Sequence, residues 1–336
     1  MKLLITIDTE EDDAWAGRPE VTTENVTFCS RFQHLCDRFS FPPTWLCNEP
    51  VLRDPRLAQA LGPAVAAGRA EIGAHLHPWN CPPFPGGVRP DPAEQFYATE
   101  IPESEFRAKM ELVVAAAESA FGVPPASYRA GRWGFDGRQI RHLLDLGIRV
   151  DCSVTPHISW QQQLGMRNGK GGPDFRGAPR IPYWLDPEDV RRPGNSPMLE
   201  LPLTVMFTGG PFRAVAPAWG LVDRLRYTPP GRVMHRMGWT ARPFRAKHDT
   251  PFHELAAMTA QATQLGLPYI MLMFHSSELM PGGSPYNRTP ESIEALYSLF
   301  ERLFEHFGAH GIEGSTLTAF ARPYFERPSA ALRGAA

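Results

Sequence analysis

The segment AEIGAHLHPW, residues 70–79, reads as a short strand followed by a proline and a tryptophan. In an extended chain, residues two positions apart point to the same side, so His75 and His77 would direct both imidazoles into one space. Metal ligands often have this spacing, but polar and apolar residues also alternate in this way along ordinary edge strands. The rest of the chain therefore has to decide between a metal site and a surface strand.

Further strand-like segments alternate with helices along the chain, and several are apolar almost throughout, as strands covered on both faces are. These segments are KLLITID (2–8), ASYRA (126–130), IRVDCSV (148–154), MLELPLTV (198–205) and YIMLMFHS (269–276). Asp54 and Thr289, each followed by a proline, predict helix starts, and Gly122 predicts the end of a long helix that begins near Ser104. The alternation favours a parallel sheet or barrel, in which chemistry gathers at the carboxyl ends of the strands.

Loops rich in proline and glycine interrupt this pattern, and the chain has 35 prolines. They predict long ordered loops over a scaffold. The clusters are CPPFPGGVRPDP (81–92), GGPFRAVAPAW (209–219) and MPGGSPY (280–286). Because no second-domain boundary is evident, we expect a single domain over residues 1–325, with an elaborated insertion at about 157–250 and a flexible tail at 326–336.

Composition excludes several classes of function. The formal net charge of −2 and the pI near 6.6 argue against a dedicated nucleic-acid binder, which normally carries a strong basic excess. The first residues lack the pattern of a signal peptide, and no window approaches the roughly 18 apolar residues of a membrane span. The five cysteines are odd in number and contain no C-x-x-C pair, which favours a reducing, cytoplasmic location.

Polar side chains follow four of the predicted strands. Asp8 and Glu10 stand two apart in IDTEED, Arg129 precedes a glycine-rich turn in YRAGRWGFD, and His275 ends the apolar strand of MLMFHSSE. Each of these could be a solvated turn residue or a satisfied buried one. Together with the paired histidines, they are the parts of a metal-assisted hydrolase.

In this combination the sequence resembles the NodB-type polysaccharide deacetylases of carbohydrate esterase family 4. The resemblance spans roughly residues 1–320 and keeps the order of the family's elements: the acidic motif after strand one, the EIGxH strand, the Y-R-A segment, DCSVTP (151–156), E-L-P (200–202) and a late strand that ends in histidine. The H-x-H-P-W wording is most similar to the WalW-type branch, which is associated with lipopolysaccharide biosynthesis. The resemblance implies a distorted (β/α)7 barrel.

The resemblance also implies roles for individual residues. Asp8 matches the general base, and Glu10 matches a metal-binding carboxylate. His75 matches the first histidine ligand, Arg129 the arginine that orients the base, and His275 the general acid.

Two departures from the family pattern lie next to these residues. The second metal histidine of the family lies four residues after the first, where this sequence has Trp79, so we expect His77 to supply that ligand. The family's R-x-P-[YF] reads RAGR at 129–132. Asp151 is expected either to orient His275 or to shape the pocket, and Trp79 and Trp133 are expected to bind substrate.

The activity implied is metal-dependent hydrolysis of an N-acetyl or O-acetyl group on an amino sugar of a surface polysaccharide or a lipid-linked precursor. Zinc suits two imidazoles, a carboxylate and an open position, although Co²⁺, Mn²⁺ or Fe²⁺ could occupy the same ligands. One alternative is a glycosidase that uses Asp8 and Glu10, which would leave the two histidines unexplained. Another is a non-catalytic glycan-binding domain whose tryptophans line a sugar groove: Trp15, Trp79, Trp133, Trp160, Trp184 and Trp219.

Residues 224–248 include many basic residues and no acidic residue. The basic residues are Arg224, Arg226, Arg232, Arg236, Arg242, Arg245 and Lys247. The stretch is either a solvated loop face or a surface that docks a pyrophosphate-linked glycan or anionic lipid, in peripheral contact with the inner face of the membrane, with Trp239 and Phe244 as apolar anchors.

Overall fold

The structure is a computed structural model that describes residues 1–17, 19–91, 94–207, 228–236 and 241–326. The strands are β1 Lys2–Thr9, β2 Pro43–Cys47, β3 Glu71–Leu76, β4 Ser127–Ala130, β5 Val150–Asp151, β6 Tyr183–Trp184, β7 Leu199–Glu200, β8 Val205–Phe207, β9 Ala241–Pro243, β10 Tyr269–His275 and β11 Glu313–Ser315. The α-helices are α1 Cys29–Phe39, α2 Glu49–Leu52, α3 Pro55–Ala66, α4 Glu103–Phe121, α5 Gly137–Asp145, α6 Pro229–Arg236, α7 Phe252–Gln264, α8 Pro290–Ala309 and α9 Leu317–Glu326.

The main sheet has the order β10-β1-β2-β3-β4-β5-β7-β6, and its neighbours run parallel from β10 to β7. β6 adds an antiparallel edge, and β11 pairs in parallel with the start of β1. Irregular backbone links the far edge back to β10, because Phe244 N–H donates to the carbonyl of Thr204 at 2.8 Å and Met273 N–H donates to the carbonyl of Phe244 at 3.2 Å. The fold is a distorted (β/α) barrel, which confirms the fold class expected from the sequence.

Alternation along β1 separates two cores. Leu3, Ile5 and Ile7 pack outward into the layer of helices, whereas Leu4 packs into the barrel interior. Residues that follow Leu4 at intervals of two face the same interior, because side chains alternate between the two faces of a strand. The side chain of Asp8 therefore lies on the inner face at the carboxyl end of the strand.

Strand register then brings the polar strand ends together. Asp8 of β1 lies level with His275 of β10, and His75 of β3 lies level with Arg129 of β4. Both pairs stand at the carboxyl end of the barrel, where parallel α/β folds place their sites.

Local predictions were confirmed at the helix ends and corrected in the strands, since β2, β6, β9 and β11 were not predicted. Asp54 and Thr289 cap α3 and α8, and Gly122 ends α4 in the left-handed region at φ 73°. The predicted strands at 148–154 and 198–205 contain only the two-residue β5 and β7, with β8 beginning at 205.

The predicted insertion at about 157–250 contains β7, a strand of the main sheet. The predicted tail begins at Glu326, the last residue of α9, and its residues 327–336 lie outside the described part of the chain. Among the helices of the described residues, none is long and apolar enough to cross a membrane.

Candidate active site

Glu10, His75 and His77 bring three ligand atoms into one small space. Oε2 of Glu10 lies 3.5 Å from Nε2 of His75 and 3.2 Å from Nε2 of His77, and the two Nε2 atoms are 3.2 Å apart. All three residues are buried. A tetrahedral site with bonds of about 2.0 to 2.1 Å separates its ligand atoms by about 3.3 Å, so the donors stand where one divalent ion could touch all three.

The outer nitrogens of both histidines are held by acceptors. Nδ1 of His75 lies 2.9 Å from the carbonyl oxygen of Arg129, and Nδ1 of His77 lies 3.3 Å from Oε1 of Glu11. Glu11 is fixed in turn by the side-chain amides of Asn48, at 2.6 Å, and Asn80. A proton on each Nδ1 leaves each Nε2 lone pair directed at Glu10. This second layer of contacts is typical of metal-binding histidines, so the residues present fit a metal ion.

Burial sets the protonation of the cluster. It lowers the pKa of His75, although the charges of Asp8 and Glu11 oppose the shift, so this imidazole is neutral and available as a ligand. Burial also raises the pKa of Glu10 to about 7, against the opposing charges of His275 and His77. Without a metal ion, Glu10 is therefore half protonated near neutral pH.

Gly131 makes room for His77. A Cβ atom at position 131 would lie 2.3 Å from Cδ2 of His77 and 2.4 Å from the carbonyl oxygen of Leu76, distances that backbone and ring cannot accommodate without moving. Gly131 in RAGR and His77 in H-x-H therefore lie directly against each other. The His77 imidazole thus fills the volume that a side chain at position 131 would need.

Asp8 forms a buried ion pair with Arg129. Nη1 of Arg129 donates to Oδ1 of Asp8 at 2.6 Å, Nη2 donates to Oγ1 of Thr6 at 2.9 Å, and Nε donates to the carbonyl of Cys152 at 3.2 Å. Burial raises the pKa of Asp8, but the Arg129 charge, together with smaller contributions from the His75 and His275 rings, outweighs it and leaves that pKa below its usual value. Asp8 is thus an ionised carboxylate with one oxygen held and the other directed at the site.

His275 faces both acidic residues from β10. Its Nε2 lies 3.9 Å from Oδ2 of Asp8 and 3.9 Å from Oε1 of Glu10, and its Nδ1 lies 2.9 Å from Oε1 of Glu278. Arg245 donates to the same Glu278 oxygen at 2.5 Å and lies 3.1 Å from Nδ1 of His275. Burial raises the pKa of Glu278, but Arg245 and His275 lower it to about 2, so this carboxylate stays charged.

Sequence reasoning missed Glu278 and Arg245, and the structure places Asp151 elsewhere. Asp151 accepts hydrogen bonds from the backbone and the hydroxyl of Ser153, at 3.0 and 2.7 Å. The carboxylate in contact with His275 is that of Glu278, three residues further along the chain, so the orienting contact predicted for Asp151 is made by a different residue. The sequence signal for Glu278 was its short spacing from His275 within MLMFHSSE.

Aromatic side chains wall a cavity of about 390 Å³ above these groups. Both tryptophans predicted to bind substrate line it: Trp79 stacks on the His77 ring with centroids 4.4 Å apart, and the Trp133 ring lies 5.4 Å from the Arg129 guanidinium. Trp15, Trp160 and Tyr286 complete the aromatic lining. Of the other tryptophans, Trp184 packs against Phe325 with ring centroids 5.4 Å apart, and Trp219 lies outside the described residues.

Among the described residues of the basic stretch at 224–248, some side chains are buried in the fold. Phe244 is fully buried in the core, so its prediction as a membrane anchor was wrong. Arg242 pairs with Glu254 at 2.6 Å, and Arg245 is a cavity residue. Arg224, Arg226, Trp239 and the side chain of Arg236 lie outside the described residues, and membrane contact by the stretch stays a prediction.

Searches of known proteins relate this chain to others by fold. No protein-family model and no curated protein sequence matches it. A structure from Parabacteroides distasonis, described provisionally as a glycoside hydrolase/deacetylase, is 12% identical, covers 98% of this chain and 72% of its own, and has a TM-score of 0.63. Puue allantoinase is 15% identical, with coverages of 97% and 89% and a TM-score of 0.53.

A protein from Mycobacterium smegmatis, described provisionally as a polysaccharide deacetylase, is 16% identical over 94% of both chains, with a TM-score of 0.47. Identities this low leave activity open, because one fold carries many chemistries. The chain therefore shares its fold with the structures whose TM-scores are 0.63 and 0.53. At the carboxyl ends of its strands it has three residues that could hold a metal ion.

Proposed function

We propose that this protein hydrolyses an acetyl group on an amino sugar, with a divalent metal ion as cofactor. The observation that carries the proposal is the buried cluster of Glu10, His75 and His77, with ligand atoms 3.2 to 3.5 Å apart, beside two further polar pairs. A cluster of two imidazoles and a carboxylate suits metal-assisted hydrolysis, and the aromatic cavity above it suits a sugar ring.

Glu10, His75 and His77 would hold the ion. When bound, a divalent ion at such a site lowers the pKa of a water ligand to near 7 and polarises a carbonyl oxygen. Zinc is the first candidate for these ligands, and Co²⁺, Mn²⁺ and Fe²⁺ are the others.

The chain's own residues would then move the protons. Asp8, kept ionised by Arg129, accepts a proton from the attacking water through its Oδ2 atom, while Oδ1 stays in the ion pair. His275 donates a proton from Nε2 to the departing nitrogen, because an amine is a poor leaving group without one. Glu278 holds Nδ1 of His275 and so keeps Nε2 directed at the site.

Several finer predictions accompany this proposal. The substrate would be an N-acetylated, or O-acetylated, sugar of a surface polysaccharide or a lipid-linked precursor, and the protein would belong to the WalW-type branch. The H-x-H-P-W wording supports the branch, and the aromatic cavity supports the sugar. The single domain over 1–325 and the cytoplasmic location stay predictions from the sequence.

A glycosidase is the second candidate, and one observation favours it. Environments that push two carboxyl pKa values apart are typical of an acid and base pair, and here the pKa of Asp8 is lowered whereas that of Glu10 is raised to about 7. That mechanism leaves the convergence of His75 and His77 on Glu10 without a role.

One experiment separates the two candidates. Purified protein is stripped with a chelator, reloaded with zinc and assayed against N-acetylated sugars for both released acetate and new reducing ends. We expect acetate release that is lost on stripping and restored by zinc. New reducing ends without acetate, formed equally well by the stripped protein, would reject the deacetylase in favour of the glycosidase.

A further inference from the structure

Hydrogen bonds join four segments along one side of the cavity. The side-chain amide of Gln95 donates to the carbonyl of Ala14, and the Arg132 guanidinium donates to the carbonyls of Gln95 and, at 3.1 Å, Leu164. We call Ala14, Gln95, Arg132 and Leu164 the rim chain. Ala14, Gln95 and Arg132 line the cavity themselves, and so does Gln163, the residue next to Leu164.

The loop at 161–172 is held firmly against this rim. Tyr97 donates its hydroxyl proton to the carbonyl of Gln163 at 2.8 Å, and the Arg132 guanidinium lies 4.4 Å from the centre of the Tyr97 ring. The Glu100 carboxylate accepts the N–H of Met166 at 3.1 Å. A Cβ atom at Gly165 would lie 2.0 Å from that carboxylate, so the loop can approach Glu100 so closely because this residue is glycine.

Aromatic rings line the cavity on both sides of the rim chain. Trp15, next to Ala14, meets His275 and Tyr286 edge to face, with centroids 4.8 and 5.5 Å apart. Beyond Leu164, Trp160 lies parallel to Trp133 at 6.2 Å. Contacting residues therefore run along the cavity lining from Tyr286 through the rim chain to Trp160, and a wall of this kind would block a glycan chain on this side.

We propose that the cavity takes the terminal sugar of a glycan, end-on, and excludes internal sugars of a polymer. An internal sugar needs two openings on opposite sides, one for each neighbouring residue of its chain. The volume of about 390 Å³ lies at the small end of ligand cavities, which span roughly 300 to 1,000 Å³. Arg132 is then a specificity-determining residue, because both of its Nη atoms bridge loops across the mouth. This inference rests on the proposed function for its reaction but can be tested by binding alone.

Binding stoichiometry tests it directly. β-1,4-linked oligomers of N-acetylglucosamine and N-acetylgalactosamine, of increasing length, are titrated into the zinc-loaded protein by calorimetry, and tryptophan fluorescence reports occupancy of the cavity. We expect one protein molecule per glycan chain at every length. Several molecules on each long chain, or no binding by any oligomer, would overturn the inference. Acetate release is followed separately: chain-end binding without acetate would reject the proposed reaction and leave the binding mode intact.

A variant tests the residue. Arg132→Ala should raise deacetylation of internal sugars, mapped by mass spectrometry of the products, by at least about tenfold, because it removes both charged-group hydrogen bonds of the guanidinium and the loss of one alone corresponds to roughly that factor. Arg38→Ala, which removes an exposed arginine paired with Glu301, is the matched control and should keep the wild-type pattern. Arg132→Lys serves if the alanine variant does not fold. Internal products that are already abundant with the wild type would contradict the role of Arg132.

Discussion

At the residue scale, His77 has contacts that a surface strand would not need. Its Nε2 points at Glu10, its Nδ1 at Glu11, and its ring lies between Trp79 and the backbone of Gly131. These contacts hold the Nε2 atom of His77 beside Glu10 and the Nε2 atom of His75. The ring is held from several sides, so small changes in its surroundings should be felt by the ligand cluster.

Gly131→Ala tests this packing. The added methyl group should push the His77 ring away from Glu10 and weaken metal binding by about 10 to 100-fold, the range for residues that support metal ligands. Chelator competition measures the affinity. Gly62→Ala is the matched control, because a Cβ atom there meets nothing within 4 Å. Wild-type affinity in Gly131→Ala would mean that the ring position is not set by this glycine.

Asp8→Asn should abolish turnover while metal content stays nearly unchanged, because the amide keeps the shape but cannot accept a proton from water. It should also destabilise the fold by about 3 to 5 kcal/mol, since Arg129 would keep a buried charge without its partner. Urea denaturation measures the loss. Asp37→Asn, at a partly exposed pair with Arg69, should cost under about 1 kcal/mol. Turnover retained by Asp8→Asn would reject Asp8 as the base.

At the element scale, strand register determines which side chains meet. Asp8 and His275 lie at one level, and His75 and Arg129 lie together two residues further along the strands. A polar residue at the end of each of these strands was the signal in the sequence that these side chains meet. The two-residue strands were not predictable in the same way. Around β5 and β7, side chains replace the strand ladder: Glu200 accepts the N–H of Val154 at 3.1 Å, and Ser153 bonds to Asp151.

Glu278 belongs to the turn after β10, and its contact with His275 could not be read from a strand pattern. Glu278→Gln should lower turnover by up to about 100-fold, because the ring loses a charged acceptor at Nδ1. The loss should be larger for an acetamide than for an activated acetyl ester, which needs no proton on its leaving group. Metal content should not change. Equal losses on both substrates would indicate a structural role only, and Glu301→Gln, on an exposed helix face, controls for charge removal.

At the scale of the whole molecule, the alternation of strands and helices predicted a parallel sheet or barrel, and the family resemblance implied the (β/α) barrel and the roles of the cluster residues. The sequence did not predict which loops meet over the cavity. Contacts such as those of Arg132 with Gln95 and Leu164 join segments far apart in sequence, and nothing in RAGR alone indicates them. The same holds for Phe244, whose basic neighbours suggested a surface although its ring is buried.

Protons and metal should compete for the buried cluster. The pKa of Glu10 is raised to about 7, so below that pH a bound metal must displace its proton, whereas the lowered pKa of His75 keeps that ligand neutral. Apparent metal affinity should therefore fall by up to about tenfold per pH unit as pH decreases below about 7, and level off above it. Calorimetry across this range measures it. Affinity that is flat, or that rises with acidity, would contradict the assigned ligand.

Metal content of the purified protein, measured by elemental analysis, tests the central claim most directly. The wild type, His75→Ala and His77→Ala are compared, with His34→Ala, an exposed helix residue, as the control. We predict one zinc, or another divalent ion, per chain in the wild type and in His34→Ala, and loss of that ion in both of the other variants. Full occupancy in His77→Ala together with loss in His75→Ala would contradict the account, and Glu11 would become the next candidate ligand.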